Sequence, residues 1–166
     1  NKINMANIKA FRGYLPSSEM AKTISSPPYD VMSSDEARDL VHGNPHSFLR
    51  VIKPEIDYEP GSEPRGDFLH KHAAENLQNF ISSGKLQLNK IPCFYLYEIT
   101  MGAYTQTGIM AAVSVAEYNE GLIKKHEFTR PDKENDRSRH IEITNANTGP
   151  VLLTFRNDGQ FQNKIL

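Results

Sequence analysis

The stretch Asp67-Phe68-Leu69-His70-Lys71-His72-Ala73-Ala74-Glu75-Asn76-Leu77-Gln78-Asn79-Phe80-Ile81-Ser82-Ser83, closed by Gly84, reads as a helix of roughly four turns. Phe68, Ala73, Leu77, Phe80 and Ile81 recur near helical spacing and form its core stripe, and Gly84 stops it. The pattern changes just beyond. Phe94 to Thr100 and Tyr104 to Val115 are β-rich runs flanking Met101-Gly102-Ala103, which predicts a hairpin. A helix followed directly by a hairpin places the chain in the α/β or α+β class, with a mixed β-sheet and flanking helices.

Upstream, Ile8 to Tyr14 alternates loosely and reads as a strand closed by Pro16 and Ser17. Ser25-Ser26-Pro27-Pro28-Tyr29-Asp30 is a stiff extended stretch, because each proline fixes its own φ and restricts the residue before it. Ser34, followed by Asp35 and Glu36, reads as the N-cap of a helix reaching about His42 and stopped by Gly43. Ser47 to Lys53 reads as a strand, and Pro54 to Asp67, rich in proline, glycine and acid, as an exposed loop. Downstream, Ser114 is positioned to cap a short helix to Asn119 that Gly121 stops. Ile123 to Phe128 and the apolar Val151 to Phe155 read as strands. Between them, Pro131 and the crowded acids behind it begin a helix from Asp132 to about Asn145, which Gly149-Pro150 breaks. Cys93 precedes an apolar strand and reads as a buried small hydrophobe.

At 166 residues the chain fits a single domain with a real core. Its 38% hydrophobic and 23% charged content is that of a globular protein. Nineteen basic against 20 acidic side chains leave a net charge of −1, with no general footprint for nucleic acid or a membrane surface. Attraction for an anion must then be local. With 1 cysteine no internal disulfide can form, no run is long enough to span a bilayer, and a cytoplasmic location is the expectation.

Polar chemistry concentrates between Lys124 and Pro150. On a helix beginning near Pro131, the side chains of Lys133, Arg137 and His140 stand at steps of four and three and share one face, with Thr144 continuing the stripe. Arg130 stands just ahead, beside the N-terminal amides. A helix N-terminus ringed by cations suits phosphate or carboxylate. The alternative is a solvated helix whose Glu134, Asp136 and Glu142 neutralise the same cations. His126, Glu127, Arg130, His140 and the asparagines give the segment general bases, acids and anion clamps together, a variety that a solvated face does not need. His126 and His140 are far apart in sequence, and no compact His and carboxylate cluster has metal-ligand spacing. Asp30, after the double proline, reads either as a turn residue or as a site acid on a rigid loop, and Tyr29 as packing.

Several of these segments together resemble one family. Phe11-Arg12-Gly13, Ser26-Pro27-Pro28-Tyr29-Asp30-Val31, Asn44-Pro45-His46-Ser47-Phe48 and Val51-Ile52-Lys53-Pro54-Glu55 are its first elements. Thr107-Gly108, the run from Lys125 to Glu134, Asp136-Arg137 and Asn145-Ala146-Asn147-Thr148-Gly149-Pro150 complete it. The chain resembles the prokaryotic family catalogued as domain of unknown function 1015, from about Ala6 to Phe155. The resemblance implies a longer protein, of which residues 1–166 form a single N-terminal domain. It also implies an Asp-Gly-His-His-Arg motif in the later half, similar to one in ParB-like and free serine kinase proteins that bind nucleotides or phosphates. Here the only Asp-Gly pair, Asp158-Gly159, runs on into Gln160 and Phe161, so that half of the site is absent and this portion should bind weakly and catalyse nothing.

On that basis the first expectation is binding of a phosphorylated small molecule or nucleotide, with kinase or other phosphotransfer chemistry. Arg130, Lys133 and Arg137 would clamp phosphate, and His126 or Glu127 would act as general base. Asp136 or Asp30 would orient a partner or hold Mg²⁺, while Asn145 and Asn147 orient the substrate. The second is a non-catalytic ligand-sensing module using the same face, His140 included, for an anionic metabolite. DNA binding of the ParB-like kind ranks last, since the charge is balanced and no basic stripe is interleaved with aromatics.

Overall fold

A computed structural model describes residues 6–126 and 128–155. Its α/β class is the one expected, with strands arranged, among the described residues, as three antiparallel pairs rather than one sheet. In chain order the strands are β1 (Ile8–Lys9), β2 (Tyr14–Pro16), β3 (Leu86–Leu88), β4 (Tyr95–Met101), β5 (Tyr104–Met110) and β6 (Ala112–Val113). The helices are α1 (Ala21–Ile24), α2 (Ser34–Leu40), α3 (Leu49–Ile52), α4 (Asp67–Ser82), α5 (Val115–Asn119) and α6 (Pro131–Thr144), with a 3-10 turn at Pro54–Asp57.

The long helix α4 organises the core, presenting His70, Ala73, Leu77 and Phe80 as its buried stripe. Leu77 and Phe80 join Ile24, Val51 and Leu86 in one apolar cluster. A second cluster gathers Ala37, Val41, Leu49, Ile52 and Ile56, and Phe48 packs against both. Phe68, expected in the core, is 69% exposed instead, because His70 takes the corresponding place on the stripe.

Residues 47–53, expected as a strand, instead contain the single helical turn α3 (Leu49–Ile52). Val51 faces the first cluster while Leu49 and Ile52 face the second. A short run buried on all sides carries no periodicity, so helix and strand look alike in sequence. The expected loop after it is not wholly exposed either, since Pro54 and Ile56 of the 3-10 turn are buried.

Helix α2 begins one residue earlier than its acids suggest. Ser33 is the N-cap, its hydroxyl accepting from the Glu36 amide at 3.2 Å while the Ser33 amide donates to the Glu36 carboxylate at 2.7 Å. Those bonds hold the Glu36 carboxyl below its ordinary value. At α5 the expected cap holds, Ser114 accepting from the Glu117 amide at 3.3 Å.

The expected strand at residues 8–14 is split into β1 and β2. β1 pairs with β6, β2 with β3, and Phe11 bridges to Cys93 between them. Cys93 is only half-buried there, not the enclosed hydrophobe expected. Gly13 sits tightly against Tyr95: its amide donates to the Tyr95 hydroxyl at 2.7 Å, and a Cβ would crowd that same oxygen at 3.0 Å.

The hairpin is β4 and β5, in register from Tyr95 opposite Met110 to Met101 opposite Tyr104. Gly102 turns it at φ 61°, as a two-residue connection requires. The strands expected at residues 123–128 and 151–155 do not form: the described residues there are irregular, with only Ile123 buried. No helix among the described residues is long and apolar enough to cross a membrane.

Candidate functional site

Helix α6 runs from Pro131, with Arg130 as an extended N-cap and no side-chain cap, to Asn145 in the left-handed conformation at φ 50°. An asparagine tolerates that conformation better than most residues. The reversal it makes returns Thr148 to the helix, where its hydroxyl lies 3.1 Å from His140 Nε2. The Thr144 hydroxyl donates to the His140 carbonyl at 2.6 Å and to the Ala146 carbonyl at 3.3 Å, tightening the same turn.

The expected stripe of Lys133, Arg137, His140 and Thr144 is present but graded. Lys133 is exposed, Arg137 is half-buried, and His140 and Thr144 are buried. The gradient arises because the C-terminal half of α6 packs on α4. Arg139 anchors its outer side, gripping Asp67 with two bonds of 3.0 and 2.5 Å and Glu142 with one of 2.7 Å. These contacts hold the Asp67 carboxyl below its usual value and raise Arg139.

Arg137 is the hub. Its guanidinium lies over the Tyr29 ring at 4.4 Å, which brings the Pro27-Pro28-Tyr29-Asp30 turn against α6. The same group holds Asp136 Oδ2 at 2.6 and 3.0 Å, and Asp136 Oδ1 lies 3.5 Å from His70 Nε2. His70 in turn meets His140 edge to face at a centroid distance of 5.7 Å. The Nδ1 atoms of both rings are buried without a hydrogen-bond partner. Burial, then the neighbouring Arg137 and His70, push His140 down to about 4, with Asp136 opposing; at neutral pH its ring is uncharged. His70 was missed by sequence reasoning, although its spacing to Ala73, Leu77 and Phe80 placed it on the buried stripe.

The other expected residues are more dispersed. Arg130 grips Asp132 with bonds of 3.1 and 2.7 Å, and this contact, with the first-turn amides, keeps the Asp132 carboxyl low. A carboxylate of the chain itself thus occupies the guanidinium fork at the helix N-terminus. His126, Asp30, Asn145 and Asn147 are exposed; the Asn147 side chain accepts from the Gly149 amide at 3.4 Å. Glu127 lies outside the described residues. Neither Asp136, engaged with Arg137, nor exposed Asp30 is joined by further ligands suited to Mg²⁺. Among the described residues no group of three or more His, Cys, Asp or Glu could hold a metal.

The family model described as "Protein of unknown function (DUF1015)" matches residues 8–166. No curated protein and no solved structure matches the chain.

Proposed function

Starting from the fact that the chain belongs to the DUF1015 family, whose description assigns no activity, we propose that it binds a phosphorylated small molecule or nucleotide at the N-terminal half of α6. The observation that carries this reading is the contact of Arg137 with Tyr29. It joins two segments far apart in sequence and leaves a half-buried guanidinium between a rigid turn and a helix face. Arg130 and Lys133 lie toward the same helix end, where backbone amides and cations act on an anion together. The phosphate would displace Asp132 from the Arg130 fork and take up the bonds that carboxylate now makes. Asp136 positions Arg137, and neutral His140 fixes the loop carrying Asn147.

Phosphotransfer is the reaction class this ligand suggests, with His126 or Glu127 as base. A sensing role without turnover is favoured by one feature: His126 is exposed in irregular chain, with no described group orienting its ring as a general base requires. Both readings share the ligand, and a single experiment separates them. Thermal-shift titration with ATP, inorganic phosphate and phosphoserine, with and without Mg²⁺, should stabilise the protein, and Arg137→Ala should abolish the shift. Asp132→Asn should raise phosphate affinity by freeing Arg130. Ligand consumption, followed by phosphorus NMR, marks an enzyme; binding without consumption marks a sensor. No shift with any of these probes, or shifts indifferent to Arg137, would overturn the proposal.

A further inference from the structure

Two imidazoles meet where the C-terminal half of α6 lies on the first turns of α4. His70 and His140 are buried, and their rings stand edge to face at 5.7 Å. Whichever nitrogen carries the hydrogen of a neutral imidazole, the other keeps a lone pair and can take a proton. The contact is therefore basic inside, and the charges around it decide how tightly a proton is held.

Those charges come from both helices. On α6, Asp136 Oδ1 lies 3.5 Å from His70 Nε2, and Arg137 grips the other oxygen of that carboxylate at 2.6 and 3.0 Å. On α4, Asp67 acts on His70 and is itself balanced by Arg139 and Lys71. The loop behind α6 contributes an uncharged group, the Thr148 hydroxyl, 3.1 Å from His140 Nε2. Burial, then Arg137, then His70, work against a charge on His140, and Asp136 favours one. Burial is fixed by the fold. The charge of Arg137 is not, because it is the group on which the proposed ligand settles.

An anion on Arg137 either neutralises the guanidinium in place or takes it from Asp136. In both cases the surroundings of the two rings become more negative, which favours their charged form. We propose that an anion bound at Arg137 is taken up together with one proton from solvent, held by the His70–His140 pair. The inference rests on Arg137 as the anion-binding residue and adds the regulation of that site. The pair takes one proton and not two, since two charged rings at this separation repel. Linkage is reciprocal, so the proton strengthens the anion as much as the anion strengthens the proton. Affinity therefore rises as the pH falls.

The test is NMR of the His140 ring at pH 5, its resonance identified by its loss in His140→Phe. With a free value of about 4, about a tenth of the rings are protonated in the parent chain. Removing one nearby charge is worth about one pH unit, so Arg137→Gln should raise the fraction to about a half. Asp136→Asn should not raise it. A helix contact merely loosened by substitution would expose the ring and raise the fraction in both variants. These two variants read the linkage with no ligand present, and Arg137→Lys, which keeps the charge, should stay near the parent. Sulfate, a dianion at every pH used, should raise the fraction in the parent but not in Arg137→Gln. The inference falls, and the anion site stands, if sulfate moves the α6 amides without protonating His140. A rise in Asp136→Asn equal to that in Arg137→Gln overturns it as well. If neither sulfate nor ATP moves the α6 amides, the site itself falls and the linkage with it.

Discussion

The helical core and the β4–β5 hairpin are both regular and locally well specified, yet they stand in opposite relations to water. Leu49, in a helix of one turn, is 0% exposed, whereas Met101 and Tyr104, paired across an ideal hairpin end, are 78% and 82% exposed. Tyr97 and Ile99 on the same strand are also exposed. Hydrogen-bonded regularity and burial are therefore separable in this molecule. The hairpin is kept in shape by its ladder and by the Tyr95 anchor on Gly13, while stability resides in the two apolar clusters. Locally weak α3 matters most because it joins them.

The contrast can be broken by substitution. Leu49→Ala should cost about 3 kcal/mol in urea unfolding, a buried large-to-small change. A loss below about 1 kcal/mol would mean that the core is not where stability lies. The next effect is pH dependence. The folded value of His140, about 4, lies below the ordinary 6.5, so between them the unfolded chain binds more protons. This contribution is intact above about pH 6.5 and is lost as the pH falls toward about 4, amounting to about 2 kcal/mol at about pH 5. His140→Phe should remove it, seen as a smaller drop in unfolding free energy from neutral to acid pH than in the parent. An equal drop in both proteins would show that His140 does not titrate as its burial implies.

A smaller effect tests capping. Ser33→Ala removes the hydroxyl half of the α2 capping box and should lower stability by about 1 kcal/mol by the same measurement. The least is expected in the hairpin, where Tyr104→Ser should change stability by less than about 0.5 kcal/mol. A larger loss would mean that the exposed hairpin face is covered in solution, and would sharpen the comparison by reversing it.

What could be read from sequence divides along similar lines. Helices α4 and α6, the α5 cap and the Gly102 turn were legible because each is specified by residues within a few positions. The turn α3, buried on all sides, was not, because its neighbours Ile24, Ala37 and Leu77 come from distant segments. Residues 151–155 illustrate the reverse failure, a strand-like composition in residues that take no strand. At the α6 site, Lys133, Arg137 and His140 were visible as a polar helical face, with Asp136 as an acid able to pair with it. The convergence of Arg137, Asp136 and His140 on Tyr29 and His70 was not, because both contacts are tertiary.

The contact of Arg137 with Tyr29 also has an optical consequence. The chain has 7 tyrosines and no tryptophan, so its intrinsic emission is tyrosine emission. Tyr29 is the ring beneath the guanidinium of Arg137, and Tyr95 is the ring whose hydroxyl takes the Gly13 amide. A ligand that draws Arg137 away alters the light from Tyr29 and leaves that from Tyr95 in place. Comparison with a Tyr29→Phe variant isolates that signal, giving a label-free reading of whether the helix end has been engaged.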